Sequence, residues 1–165
     1  MRLHCDSGVE LLSPEDFINR CGEEMDQPYF GSLIRTGQGP ALSMLLLVPQ
    51  ADGAKFYELL TGFQDAAEDD ILTAVGEMNN IMGSSLINLM ADRVGREIHP
   101  AVPINRFDLL GALMQASILQ EEFIDKKILC AETVIAEQDG RSLRTRLVAI
   151  ADQNALGTFI EAGAA

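Results

Sequence analysis

The chain has 165 residues, 47% of them hydrophobic, and a formal net charge of -13. This length and hydrophobic content suffice for one well-packed domain. The negative charge argues against nucleic acid and anionic membrane surfaces as partners, since both require basic patches. No basic segment leads into an early apolar stretch, and the run Ala41–Val48 is too short to span a bilayer, so we expect a cytoplasmic protein.

The cysteines and histidines give no metal-binding pattern. Cys5, Cys21 and Cys130 are widely spaced without a C-x-x-C pair, and His4 and His99 are far apart in sequence. Neither zinc ligation nor a disulfide framework fits these spacings in a reducing compartment. We therefore predict structural cysteines, with Cys130 in the core, and no metal site in the chain.

The first elements can be assigned from capping and turn residues. The sequence Ser13–Asp16 is typical of a helix start, with serine at the N-cap, proline at the first position and acids in the first turn; the helix is expected to run to about Glu24. Two strands, Tyr29–Arg35 and Pro40–Val48, follow across the turn 36–39. The second strand is continuously apolar, which predicts burial on both faces.

Helices and a second hairpin follow. A short helix from about Ala51 to Leu60 precedes a long proline-free helix from Asp65 to about Val94, which Gly95 ends. The remaining predicted elements, in chain order, are a strand Arg96–Val102, a helix Asp108–Gln120, strands Lys127–Glu137 and Ser142–Ala151, and a helix Gln153–Ala162.

This order predicts an α+β fold. An antiparallel sheet is built from two hairpin-containing pseudo-repeats and covered by helices, including the long one over residues 65–94. No linker composition interrupts the pattern, so residues 1–165 are expected to form a single domain, with residues 1–28 as a divergent N-terminal segment.

The long helix carries two stripes when its residues are placed about 100° apart. The predicted core stripe consists of Ile71, Val75, Met78, Met82, Ser85, Leu86 and Leu89. The opposite stripe consists of Thr73, Glu77, Asn80 and Ser84, with Ile87 close to it. Such a polar stripe is usually a solvated face, but this one is poor in lysine and glutamate, and Ile87 suits a partner's surface better than water. The stripe therefore indicates a contact surface without naming the contact.

The helix and its continuation resemble a known family motif. The segment from Leu72 to Pro103 is similar to the signature of the CheC/CheX/FliY family of chemotaxis phosphatases, which reads Ser or Asp, three residues, Glu, two residues, Asn, 22 residues and Pro. Glu77, Asn80 and Pro103 have this spacing, and the similarity extends from about Ser43 to Phe159.

Two positions depart from the family pattern. Thr73 stands where the family has Ser or Asp and retains a hydroxyl. Asn79 replaces the glycine that commonly precedes the functional asparagine, and we expect its side chain to crowd an approaching partner. These two positions put the activity in question and leave the fold intact.

The resemblance implies hydrolysis of the aspartyl-phosphate on a CheY-type response regulator, in bacterial chemotaxis or a related two-component pathway. Asn80 would orient the attacking water and Glu77 would pair with the receiver's lysine, while Thr73, Ser84 and Ile87 would touch the receiver at the rim. The chain would need no cofactor of its own, because the receiver supplies Mg²⁺. A general-base role for Glu77 is less attractive, since nothing in the sequence buries it or pairs it with a like charge.

The alternative is a non-catalytic CheC-like module that binds receivers or dimerises. A single site in a short chain is closer to the CheX type, which by analogy favours a homodimer through a sheet edge or a helix. A CheD-like regulator is a further partner consistent with the family.

Overall fold

A seven-stranded antiparallel sheet is the central layer of the computed structural model, which describes residues 3–38, 42–95, 97–118, 126–137 and 142–152. The strands are β1 Leu3–Leu12, β2 Pro28–Gln38, β3 Leu42–Pro49, β4 His99–Pro100, β5 Ile104–Leu109, β6 Lys126–Glu137 and β7 Ser142–Asp152. The helices are α1 Pro14–Cys21, α2 Gln50–Thr61, α3 Glu68–Val94 and α4 Leu110–Ile118, with a short 3₁₀ helix, Gly22–Asp26, after α1. The predicted α+β fold is confirmed.

Two hairpins make up the middle of the sheet, as predicted. The strand order is β1-β6-β7-β3-β2, and β5 and β4 pair with β2 at the edge. The β2–β3 and β6–β7 hairpins meet where β3 pairs with β7, from Leu42↔Ala151 to Leu47↔Arg146. The turns over 39–41 and 138–141 and the predicted helix Gln153–Ala162 lie outside the described residues.

Helices cover both faces of the sheet. The apolar side chains of β3 point alternately to the two faces, so both faces need a cover. Leu45 and Leu47 pack with α1 and α4, whereas Leu46 and Val48 pack with α2 and α3. The predicted burial of this strand on both faces is confirmed. Cys130 is buried in the core on the α1 and α4 side, as expected.

The helix ends follow their capping residues. The Asp16 amide donates to the Ser13 hydroxyl at 3.0 Å, and Pro14 occupies the first turn of α1. Asp70 reaches back from the first turn of α3 to accept from the Ala67 amide at 3.0 Å. Gly62 and Gly95 end α2 and α3 with φ of 79° and 65°, which glycine adopts without strain.

Two strands were missed, and several boundaries were displaced: α1 ends at Cys21 and α3 begins at Glu68. Strand β1 pairs with β6 over its whole length, although no element was predicted before Ser13. Of the predicted strand Arg96–Val102, only His99–Pro100 pairs in the described residues. Strand β5 occupies Ile104–Leu109, so α4 begins at Leu110 and not at Asp108. β5 forms because the outer edge of β2 offers it backbone partners, which no local pattern reveals.

The buried stripe of α3 advances in steps of four residues. Its members are Ile71, Val75, Asn79, Gly83 and Ile87. Four residues turn the helix through about 400°, so this stripe winds around the axis by about 40° per step. The predicted core stripe, which ran straight along the axis, is therefore right at the first turns and at Leu86, which packs against the core. It is wrong at Met82 and Leu89, which are 37% and 56% exposed.

Candidate functional site

Helix α3 lies across β2, β3 and β5 and presents the signature residues on its outer surface. Thr73, Glu77 and Asn80 are exposed and Ser84 is half-buried. Glu77 and Asn80 are three residues apart, so they lie about one turn from each other on one face. The structure thus brings the four predicted polar residues to one surface.

The polar groups on this surface differ in their availability. The Thr73 hydroxyl donates to the Asp69 carbonyl at 2.8 Å, so it is engaged with its own helix. Among the described residues, the side chains of Glu77 and Asn80 make no hydrogen bond or ion pair. A carboxylate and a carboxamide on a rigid helix are therefore free to bind a group from outside.

Ile87 does not belong to this surface. It is 1% exposed and packs with Ile34 and Met44, so the prediction that it contacts a partner is wrong. Because the buried stripe winds around the helix axis, Ile87 lies on the side of α3 that faces the sheet. The apolar residue beside the site is Ile81, which follows Asn80 directly and is 60% exposed. Its four-residue spacing from Glu77 was a signal that the sequence offered.

Asn79 also faces away from a partner. It is fully buried, and its Nδ2 donates to the carbonyl oxygen and the hydroxyl of Ser32 at 2.7 and 3.1 Å. The expectation that it crowds an approaching protein is therefore wrong. The physical reason is again the winding stripe, which places Asn79 against β2.

A second carboxamide borders the site from β5. A Cβ atom at Gly76 would stand 2.2 Å from Nδ2 of Asn105, so that side chain lies directly on the helix at the residue before Glu77. Asn105 was missed because β5 was missed. Gly76 allows this close approach of strand and helix.

The opposite face of the sheet holds a different polar group, which we name the Arg146 cluster: Arg146, Glu24, Glu132, Tyr29 and Cys21. Arg146 is 12% exposed and pairs with Glu24 at 3.1 Å and Glu132 at 3.2 Å. The Tyr29 hydroxyl donates to Glu24 at 3.0 Å. Burial and this bond raise the pKa of Tyr29 to about 12, and burial raises the pKa of the Cys21 thiol.

A cleft of about 470 Å³ opens beside the Arg146 cluster. Its polar walls are largely paired within the protein, since Asp52 accepts from the Arg144 amide at 3.1 Å in addition to the ion pairs of Arg146. Within the described ranges, no three His, Cys, Asp or Glu side chains converge as metal ligands. None of the helices described combines the length and hydropathy that crossing a membrane requires.

Comparison with known proteins supports the resemblance noted from the sequence. The CheY-P phosphatase CheC of Bacillus subtilis is 24% identical over 136 residues, a match that covers 79% of this chain and 65% of CheC. The chain thus spans less than two thirds of that relative. No protein-family model matches it.

Solved structures show the same fold. FliY of Thermotoga maritima has a TM-score of 0.62 at 13% identity, covering 97% of this chain and 81% of its own. CheX of Vibrio vulnificus has a TM-score of 0.56 at 12% identity, covering 90% and 86%. The CheX–CheY–BeF₃–Mg²⁺ complex of Borrelia burgdorferi matches with a TM-score of 0.50 at 11% identity, covering 74% and 76%. The resemblance to the CheC/CheX/FliY family is confirmed.

Proposed function

Because the chain has the fold of the CheC/CheX/FliY family and is similar in sequence to a CheC, we propose that it dephosphorylates a CheY-type response regulator. The observation that carries the proposal is the pair Glu77 and Asn80, exposed on one face of α3 without partners among the described residues. The relative CheC of Bacillus subtilis is a CheY-P phosphatase, and a CheX with the same fold is solved in complex with CheY.

The reaction requires few catalytic groups from the chain itself. A receiver already carries the aspartyl-phosphate, a divalent metal and a lysine, so a phosphatase has only to place water in line with the phosphorus. The water's oxygen forms a bond to phosphorus as the bond to the aspartyl oxygen breaks, which releases phosphate and a free carboxylate. The proposal gives the chain no metal of its own, since Mg²⁺ arrives with the receiver.

Asn80 and Glu77 take separate roles. The Asn80 carbonyl accepts from the attacking water, and its amide group can hold the carboxamide in place. Glu77, one turn away, accepts from the receiver's lysine and sets the docking register. Thr73 and Ser84 lie at the rim. Ile81 takes the apolar contact that the sequence had assigned to Ile87.

The remaining partner predictions belong to this proposal. A homodimer and a CheD-like regulator stay predictions, as does a location in the cytoplasm, where we expect the chain to meet its receivers.

A second candidate function is a non-catalytic module that binds receivers. One observation favours it: the Thr73 hydroxyl, at the first motif position, is bonded to its own helix.

The test measures loss of acyl-phosphate from a phosphorylated CheY-type receiver with and without the protein. We expect acceleration by the wild type, a fall of at least ~100-fold in kcat for Asn80→Ala, and a raised KM for Glu77→Ala. Asn88→Ala is the matched control, because Asn88 is an exposed asparagine two turns further along α3 and outside the motif. Its activity should equal that of the wild type.

Two outcomes would contradict parts of the proposal. Normal activity in Asn80→Ala removes that residue from the mechanism. No acceleration by the wild type, together with binding of the receiver that Glu77→Ala weakens, establishes the non-catalytic module.

A further inference from the structure

We infer that Asn79 is a positioning residue, whose bonds to Ser32 fix helix α3 on the sheet and so set where Asn80 and Glu77 stand. This inference rests on the proposed function. Asn79 and Ser32 are the buried polar residues among those described, and both are fully enclosed. They join the underside of the site helix to β2, one residue away from Asn80.

The contacts with Ser32 fix the orientation of the Asn79 carboxamide. A carbonyl oxygen can only accept, so the Ser32 carbonyl, 2.7 Å away, requires the amide nitrogen of Asn79 on that side. The Ser32 hydroxyl, at 3.1 Å, accepts from the same nitrogen. The two contacts together restrict the rotation and the height of α3 over β2.

Stability alone does not explain an asparagine at this position. Its Oδ1 is buried and has no hydrogen-bond partner among the described residues. An unsatisfied buried acceptor costs about 1–3 kcal/mol, whereas apolar side chains of similar shape in place of both Asn79 and Ser32 can be neutral or stabilising. Buried polar groups that cost stability are best known for fixing the register of helices.

The contact surface around Asn79 needs such a register. Gly76 and Gly83 flank Asn79 on the side of α3 that faces the sheet, and both lie close against it: an added Cβ would stand 2.2 Å from Asn105 at Gly76 and 2.6 Å from Met44 at Gly83. Two glycines make a smooth surface that does not interlock with the strands. Asn79 supplies the directional contact between them.

A displaced helix would misplace the site. A shift of one residue moves α3 by about 1.5 Å and turns it by about 100°. A misplacement of about 1 Å in a catalytic group can lower the rate about 100-fold. Water orientation by Asn80 is therefore sensitive to the bond made by its neighbour.

The test replaces Asn79 by leucine, which has a similar shape and no polar atoms. We expect Asn79→Leu to lower the Tm slightly, because the buried Ser32 hydroxyl loses its partner, to leave the KM for the phosphorylated receiver unchanged, and to lower kcat per folded molecule by about 10- to 100-fold. Met78→Leu is the matched control, because it changes the shape of the preceding half-buried side chain at nearly constant volume without touching a hydrogen bond. It should leave kcat and KM at wild-type values.

Each outcome decides the inference. Wild-type kcat in Asn79→Leu overturns it, and so does a fall in kcat that only follows the unfolded fraction. If the wild type itself does not accelerate hydrolysis, the proposed function fails and NMR decides the inference alone. Resonances of Glu77 and Asn80 that move more in Asn79→Leu than in Met78→Leu then support it, and equal movement overturns it.

Discussion

The two faces of the sheet use polar side chains in opposite ways. In the Arg146 cluster, a largely buried guanidinium meets two carboxylates, and a tyrosine hydroxyl bonds one of them. On the α3 face, Glu77 and Asn80 reach solvent without a partner among the described residues. Polar groups that are satisfied inside the protein stabilise the fold, whereas those held unpaired on a rigid helix are available to another molecule.

Removal of the Arg146 guanidinium should give the largest change in stability. Arg146→Ala leaves Glu24 without its cation and Glu132 with only the more distant Arg20, at 3.7 Å. Because both carboxylates are partly exposed, we expect a loss of about 2 kcal/mol in the free energy of unfolding. Activity per folded molecule should not change, because the cluster lies across the sheet from α3. Urea unfolding and phosphatase kinetics on the same samples measure both quantities.

If Arg146→Ala does not fold, Arg146→Lys allows the same measurements. It retains the charge and loses the forked geometry, so a smaller loss of stability is expected. A fall in kcat per folded molecule in either variant would break the contrast between the faces and assign the Arg146 cluster to the site.

The hairpins and capped helices could be predicted because their signals are local. Alternating or continuous apolar runs and turn residues predicted β2, β3, β6 and β7, and Ser13 with Pro14 predicted the start of α1. Strands β1 and β5 could not be predicted, since each forms by pairing along the edge of another strand. Asn105 escaped notice for the same reason.

The surface of α3 was predicted in part. Thr73, Glu77 and Asn80 lie outside as expected, because near the start of the helix a straight stripe and a winding stripe coincide. Further along, the helix packs along rows of residues four apart, which buries Ile87 and exposes Leu89. The inclination of a helix on a sheet depends on tertiary packing, so it cannot be predicted from the helical periodicity of about 3.6 residues per turn.

A matched pair of glycines on the inner side of α3 should give the next largest effect. Gly83→Ala places a methyl group 2.6 Å from Met44 and 2.9 Å from Ile34, both buried, so overpacking should exceed the gain in helix propensity and cost about 1 kcal/mol net. At Gly76, the three atoms nearest to an added methyl group all belong to Asn105, an exposed side chain that can turn away, so stability of Gly76→Ala should stay within about 0.5 kcal/mol of wild type.

These glycine variants sharpen the contrast because they change the site face alone. Gly83→Ala pushes α3 off the sheet, so kcat should fall more than it does for any Arg146 variant when both are corrected for folding. Thermal unfolding with receiver kinetics tests this. Equal kcat in Gly83→Ala and wild type would mean that the site tolerates movement of its helix.

Tyr29 contributes to stability through its bond to Glu24, and this contribution should depend on pH. Tyr29→Phe removes the bond to Glu24 and should cost about 1 kcal/mol near neutral pH. The unfolded chain releases the tyrosine proton near pH 10, whereas the folded chain, with the pKa raised to about 12, still holds it. Since the folded state binds more protons between these values, the stabilisation is complete below pH 10 and is lost as the pH rises to 12.

The difference in stability between wild type and Tyr29→Phe isolates this ionisation, because other alkaline groups titrate in both proteins. Urea midpoints at pH 9 and pH 11.5 should show that difference shrinking. Tyr57→Phe changes the other tyrosine of the chain and should lose stability with pH as the wild type does. A difference that stays constant from pH 9 to 11.5 would show that the Tyr29 hydroxyl is not held by Glu24, and the Arg146 cluster would then have fewer internal bonds than its geometry indicates.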